Sequence, residues 1–248
     1  MKKILITNDD GISAEPLDIL RRKLSYLGDV VIVAPNVQRN ASGNAMTLHK
    51  PVRIKKLSEN KYAVTGTPAD CTRIGTLTIM EDKVDMVISG INCGANLGDD
   101  INYSGTAAAA REGAMLGIPS LASSLVLEKR ENYELAADIT VRIAKEMLDK
   151  GLPPRTFLNL NVPDLDDTEF KGIKVTSQGI RIYERNIRRR EDPIGRGYYW
   201  ILGSKIGGHR DEGTDMLAVS EGYASLTPIT LDYTAAGLKD ELLNWSLD

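Results

Sequence analysis

Through the first two-thirds of the chain, apolar runs of strand length alternate with stretches whose apolar residues recur every third and fourth position. That alternation predicts a mostly parallel sheet with crossover helices, an α/β architecture. The runs KILIT (3–7), DVVIVA (29–34), VDMVIS (84–89), PSLASS (119–124) and FLNLNV (157–162) are the expected strands. Between them EPLDILRRKLSYLG, PADCTRIGTLTIM, GTAAAAREGAMLG and NYELAADITVRIAKEMLDKG carry the amphipathic helical period. Gly28, Gly117 and Gly151 stand where such helices would stop. PVRIKKLSENKYAVTG breaks the rhythm: two alternating runs around Ser58-Glu59-Asn60 predict a hairpin that extends the sheet or stands beside it. Near the end, YYWILGSKI and GYASLTPITL read as strands, followed by a short final helix in TAAGLKDELLNW. The expectation is one unit over 1–248, with a core over 1–165 and a C-terminal extension over 166–248 that forms a β-hairpin arm for oligomerisation.

Composition narrows the functional classes. A chain of 248 residues with 42% hydrophobic residues can bury a substantial core without staples. Its net charge of -3 argues against a nucleic-acid coat or a polybasic membrane binder, so phosphate recognition must be local. The basic stretch RIYERNIRRR (181–190) is then a solvated or intersubunit face that can also draw anionic substrates, and nucleic acid is not an expected partner. Cys71 and Cys93 form neither a zinc pattern nor a disulfide framework, which suits a reducing cytoplasm. The apolar run after Met1 is too short for a signal peptide, and no window reaches the roughly 20 apolar residues of a membrane span.

Candidate chemistry lies in three loops at the carboxyl ends of the strands, where open α/β sheets bind ligands. NDDGIS follows the first strand, PNVQRNASGNAMT the second and GINCGANLGDDINYSGT the third; all are rich in short oxygen-bearing side chains and glycine. Two carboxylates about 5 Å apart repel by roughly 3 kcal/mol at an effective dielectric of about 20. Asp9 and Asp10 therefore need an offset, which a cation supplies; an Asx-Gly turn explains the same residues equally well. Asn92 and Asn96 offer amide oxygens in a loop freed by glycines. Ser104, Gly105 and Thr106 open an alanine-rich helix, a seat for phosphate or simply a capped helix start. Asn40, Ser42 and Asn44 add neutral oxygens, Arg39 an anion contact, and Asp99 and Asp100 either further ligands or a solvated turn. Such an all-oxygen set suits one hard divalent cation, magnesium or manganese before zinc. His49 and His209 support no imidazole-centred triad, and neither GxxxxGK[ST] nor a strand-following GxGxxG is present.

The ordered set ILITNDDG, APNVQRNASGNAMT, TGTPADC and SGINCGANLGDDINYSGTAAAAREGAMLGIPSLASS, with GYASLTPITLD near the end, strongly resembles the SurE survival-protein family of nucleotidases. The resemblance implies a Rossmann-like core and a divalent-metal phosphomonoesterase acting on nucleoside 5′- and 3′-monophosphates, with short polyphosphate as a further substrate of some members. It also implies a homodimer or homotetramer built through C-terminal extensions. Carried over residue by residue, it makes Asp9, Asp10, Asn40 and Asn92 the metal ligands. The family commonly has Ser where this chain has Asn40, which makes Ser42 the rival at that position.

The expected mechanism is direct attack on phosphorus by a metal-activated water. Asp9 or Asp10 orients the water, while Asn96 and the Ser104–Thr106 helix start hold the other oxygens. Phosphoaspartyl phosphatases carry DxDx[TV] rather than an adjacent pair, and a signalling receiver needs an acceptor aspartate where this chain has PVRIKKL. A non-enzymatic nucleic-acid or nucleotide binder is the alternative of another class. Tyr103, Tyr183, Tyr198, Tyr199 and Trp200 are candidates for stacking on a base or for interface packing.

Overall fold

A computed structural model describes residues 1–127, 130–183, 186–202 and 206–246. The strands and helices run, in chain order, β1 (Lys2–Thr7), α1 (Glu15–Leu24), β2 (Gly28–Pro35), β3 (Ile54–Ser58), β4 (Lys61–Val64), α2 (Pro68–Ile74), β5 (Met86–Cys93), α3 (Gly105–Met115), β6 (Ser120–Val126), α4 (Tyr133–Lys150) and β7 (Thr156–Pro163). There follow β8 (Ile173–Val175), β9 (Ile180–Tyr183), β10 (Asn186–Glu191), β11 (Gly197–Leu202), β12 (Ile206–His209), α5 (Asp215–Ser220), β13 (Ala224–Thr230) and α6 (Ala236–Leu242).

Nine strands form one sheet in the order β3-β4-β2-β1-β5-β6-β7-β13-β8. Its centre is parallel, and the antiparallel pairs are β3 with β4 and β13 with β7. Because helices cover both faces of a parallel sheet, its strands read as continuous apolar runs. In β1, Ile4 and Ile6 join α1 and α4 in one core layer, with Leu17, Leu20, Ile139 and Ile143. Leu5 points the other way, packing with Val31, Val33, Cys71 and Val87 under α2. Each fully buried Leu or Ile contributes about 1.5–3 kcal/mol. The five alanines of α3 let it lie close to the sheet, where Ala107, Ala110 and Ala114 pack with Phe157.

Three features differ from the expected pattern. Gly28 does not end a helix; α1 stops at Leu24, and Gly28 opens β2 opposite Lys2, where a Cβ would come within 2.3 Å of the Lys2 carbonyl oxygen. The sheet takes β8 and β13 from beyond residue 165, because GYASLTPITL alternates buried and exposed residues and pairs with β7. Third, YYWILGSKI spans two strands, β11 and β12, with residues 203–205 between them outside the described part. What projects is a ribbon, β9 with β12 and β10 with β11. The stretch 181–190 runs along it, residues 184–185 lying outside the described part. Among the described residues, no helix is long and apolar enough to cross a membrane.

Candidate active site

β1 and β5 are neighbours at the middle of the sheet, Thr7 facing Ser89, and the chain winds outward from them in opposite directions. The crevice beyond the carboxyl ends of two such strands is where doubly wound sheets bind ligands. Asn8 makes the turn after β1: its Oδ1 accepts from the Gly11 N–H and its Nδ2 donates to the Gly11 carbonyl, both at 3.1 Å. The turn is therefore built by the asparagine, and the two aspartates are free for other work.

Asp9 is 4% exposed, and its Oδ1 accepts a 2.6 Å hydrogen bond from the Thr106 hydroxyl. Burial pushes its carboxyl up to about 6, with the Asp10 charge adding to the rise and the Thr106 bond opposing it. Asp10 is half-buried, and its Oδ2 accepts from the Cys93 N–H at 3.2 Å. Burial raises it as well, partly offset by that N–H and by Gln38. Burial holds the two neighbouring carboxylates above their ordinary range, and neither has a cationic partner among the described residues. Asn92 donates its Nδ2 to the Gly94 carbonyl at 2.9 Å, which orients the amide and leaves Oδ1 as the atom for a ligand.

A pocket of about 350 Å³ opens over these groups, lined among others by Asp9, Asn40, Asn92, Asn96 and Ser104, with Arg181 and Tyr183 reaching in from the extension. Asn40 is exposed on its wall, whereas Ser42 lies behind: the Ser42 hydroxyl is buried and has no hydrogen-bond partner. A Cβ added to Gly105 would fall within 2.9 Å of both Asp9 Oδ2 and Ser42 Oγ, so only glycine lets the helix start come this near the carboxylate. The tight cradle, the raised carboxylates and the free amide oxygen of Asn92 together fit a hard divalent cation. Among the described residues, no three His, Cys, Asp or Glu side chains group as a metal cluster, so the remaining donors must be amide and hydroxyl oxygens.

At the start of α3, Ser104 Oγ accepts from the Ala107 N–H at 3.0 Å, and Thr106 is committed to Asp9. The Thr106 N–H turns to the Asp9 carboxylate as well, which leaves the Gly105 N–H as the donor without a partner among the described residues at the positive end of the helix dipole. Asn96 is 6% exposed and held on every side. Its N–H donates to Asn161 Oδ1 at 2.8 Å, its carbonyl accepts from Asn159 Nδ2 at 2.8 Å and Asn161 Nδ2 at 3.1 Å, and its own Nδ2 donates to Ser124 Oγ at 2.7 Å. Its amide N–H is thus spent within the protein, leaving Oδ1 as the atom able to meet a ligand.

Several positioning residues went unnoticed in the sequence. Asn159 and Asn161 stand two apart on β7, a polar pair on one face of an otherwise apolar strand, which was the available signal. Asp70 caps α2 and also binds the second loop, accepting from the Thr47 N–H at 3.0 Å and the Thr47 hydroxyl at 2.6 Å. Asp215 fixes the third loop, accepting from the Gly98 and Gly179 N–H groups at 2.8 and 2.9 Å. Asp99 and Asp100 tie the extension to the same loop: Arg181 N–H and Nε donate to them at 3.0 and 2.8 Å, and the Tyr183 hydroxyl donates to Asp100. Arg39 meets the site through its backbone, donating N–H to the Asp9 carbonyl at 2.7 Å. Tyr198, Tyr199 and Trp200 are exposed on β11, while Tyr103 and Tyr183 line the pocket.

These features define a doubly wound α/β protein whose site is made of acidic and amide oxygens at the switch point, facing a helix start. The chain belongs to the SurE family: residues 4–185 match the family model described as Survival protein SurE. It is 46% identical to the 5′-nucleotidase SurE of Geobacter metallireducens over 244 residues, 98% of this chain and 97% of that protein. It is 44% identical to the 5′-nucleotidase SurE of Aquifex aeolicus over 236 residues, 94% of each. The crystal structure of the SurE protein from Aquifex aeolicus matches the fold with a TM-score of 0.86 at 42% identity, covering 97% of this chain and 98% of that one.

Proposed function

We propose that this chain is a divalent-metal-dependent phosphomonoesterase that hydrolyses nucleoside 5′-monophosphates, and 3′-monophosphates, to nucleoside and phosphate. The observation that carries the reading is the juxtaposition of the raised Asp9–Asp10 pair with the helix start at Gly105, bridged by Thr106, whose hydroxyl and N–H both reach the Asp9 carboxylate. A dianionic phosphate ester bound between them is attracted by the helix start and must be separated from the carboxylates by positive charge. Curated relatives named 5′-nucleotidase support the substrate class.

Asp9, Asp10, Asn40 and Asn92 would hold the cation, Asn40 rather than Ser42 because Asn40 lines the pocket and Ser42 is sealed behind Asp9. When bound, magnesium or manganese would supply Lewis acidity at a phosphoryl oxygen and a lowered pKa for water. The chain's own part is positional. The Gly105 N–H at the helix start receives a phosphoryl oxygen, Ser104 flanks it, and the Asp9 carboxylate, fixed by the Thr106 hydroxyl and N–H, is placed to accept a proton from the attacking water. Asn96, locked through its backbone and its Nδ2 by four hydrogen bonds, keeps the third loop at a fixed distance from that centre.

Self-association as a homodimer or homotetramer is assigned to the ribbon, which exposes Ile187, Tyr199, Trp200 and Ile201. Both cysteines are free, in keeping with the cytoplasm as the working compartment. The test is phosphate release from a panel of nucleoside monophosphates and short polyphosphate, with chelator and then with magnesium or manganese restored. Metal-dependent release from nucleotides supports the reading. Chelator-resistant release, or heavy-oxygen label from water entering an aspartate in a single turnover, contradicts it.

A further inference from the structure

Six residues along α3 from the helix start, Arg111 is buried, 4% exposed, with its Nε and Nη2 sealed from solvent and without any hydrogen-bond partner. Its guanidinium lies between two aromatic rings, 5.6 Å from the centroid of Phe157 and 5.8 Å from that of Tyr233. Those rings offset part of the charge but accept no N–H in the plane of the guanidinium, so the sealed donors stay unsatisfied. The adjacent carboxylate, Glu112, is already committed to Arg73 at 2.7 Å. Arg111 also borders a pocket of about 270 Å³, which Arg155 lines from the loop before β7. Met46, Met115 and Leu231 supply its apolar wall, and Asn44 and Tyr233 its polar handles. Asp232, which follows Leu231, acts on Arg155 through space and forms no ion pair with it among the described residues.

We propose that this pocket binds a small organic oxyanion, its charge seated on Arg111 and Arg155 and its apolar end against Met46, Met115 and Leu231. Water could fill the space, but it supplies no negative charge to a guanidinium buried without a counterion, whereas a carboxylate or phosphate oxygen supplies charge and acceptors together. The lining asks for an apolar body in addition, which favours an aliphatic carboxylate or phosphate ester over a bare ion. Asn44 and Met46 belong to the loop that carries Asn40, and Arg111 to the helix that begins at Ser104, so an occupant braces two walls of the pocket above Asp9.

The experiment reads binding, not hydrolysis, and so stands apart from the proposed activity. Chelator-treated full-length protein in chloride buffer is titrated with butyrate and, separately, with inorganic phosphate. The Arg111 Nε–H resonance is followed by ¹⁵N NMR, and thermal stability in parallel. The expected result is a saturable shift of that resonance with a raised midpoint, tighter for butyrate than for phosphate. Arg155→Ala, at an exposed position that leaves the fold intact, should weaken binding roughly tenfold. Arg111→Leu, which removes an unpaired buried charge and should fold at least as well, should abolish it. The proposal is overturned by an unmoved resonance at tens of millimolar of either anion, or by a shift that chloride reproduces. A shift that follows protein concentration also overturns it, since a second copy's carboxylate then fills the pocket.

Discussion

The start and the second turn of α3 present opposite electrostatic problems. Beside its first residues, the buried Asp9 and half-buried Asp10 have no positive partner among the described residues; at Arg111 a buried guanidinium has no negative one among them. About 9 Å of helix axis separates Gly105 from Arg111. A protein stabilised only by its own contacts would have paired such charges or left them in water. The proposed cation at the start and the proposed oxyanion further along answer these problems in opposite ways. The two differ in depth of support. The acidic end is framed by hydrogen bonds from three loops, whereas Arg111 is held by rings alone, which suits catalysis at the first and reversible binding at the second.

The comparison breaks most severely at Asp9. Asp9→Asn keeps an acceptor for Thr106 but removes the charge, so turnover should fall by roughly 10³-fold or more while circular dichroism is unchanged. The metal-free variant should melt no lower than the parent, because a strained buried carboxylate has gone. Next comes Asn161→Ala, which strips the Asn96 N–H of its acceptor and removes one of the two donors to its carbonyl. It should cost about 1–3 kcal/mol in denaturant unfolding. A tenfold loss in kcat, with KM nearly constant, would mark Asn161 as a positioning residue.

A smaller effect separates the two second-loop candidates. Asn40→Ala should weaken metal affinity about tenfold, in the range seen when a metal's supporting groups are removed, while Ser42→Ala should change it little. The reverse order, measured by titrating activity with manganese, would move the ligand to Ser42. The gentlest probe is pH. Asp9 holds its proton more tightly in the folded chain, so its own contribution to metal-free stability is largest below the ordinary carboxylate range and falls by up to about 3 kcal/mol as pH rises through about 6. The cation should reverse that trend, its stabilising effect growing as pH passes 6; melting curves with and without magnesium across this interval give the sign directly.

Much of this was legible in the chain. Strand and helix periods were read correctly through β7 because parallel strands buried on both faces carry uninterrupted apolar runs, and the hairpin was marked by its polar turn. The three loops could be found because carboxyl ends of strands are where such sheets bind ligands. What stayed hidden depends on long-range pairing. Asn159 and Asn161 look like tolerated polar residues until the third loop is laid across β7, and Asp70 looks like a helix cap until Thr47 arrives from the second loop. Asp99 and Asp100 read as ligands or a solvated turn, yet they grip an arm some eighty residues away. Arg111, inside an alanine-rich helix, gave no sign that its guanidinium would lack an acceptor.

The most direct test is manganese binding to the parent chain and to Asp9→Asn, followed by electron paramagnetic resonance at neutral pH. A single ion bound per parent chain and none by the equally folded variant is the predicted result. Undiminished binding by the variant, or none by the parent, would contradict a cation held at the end of β1.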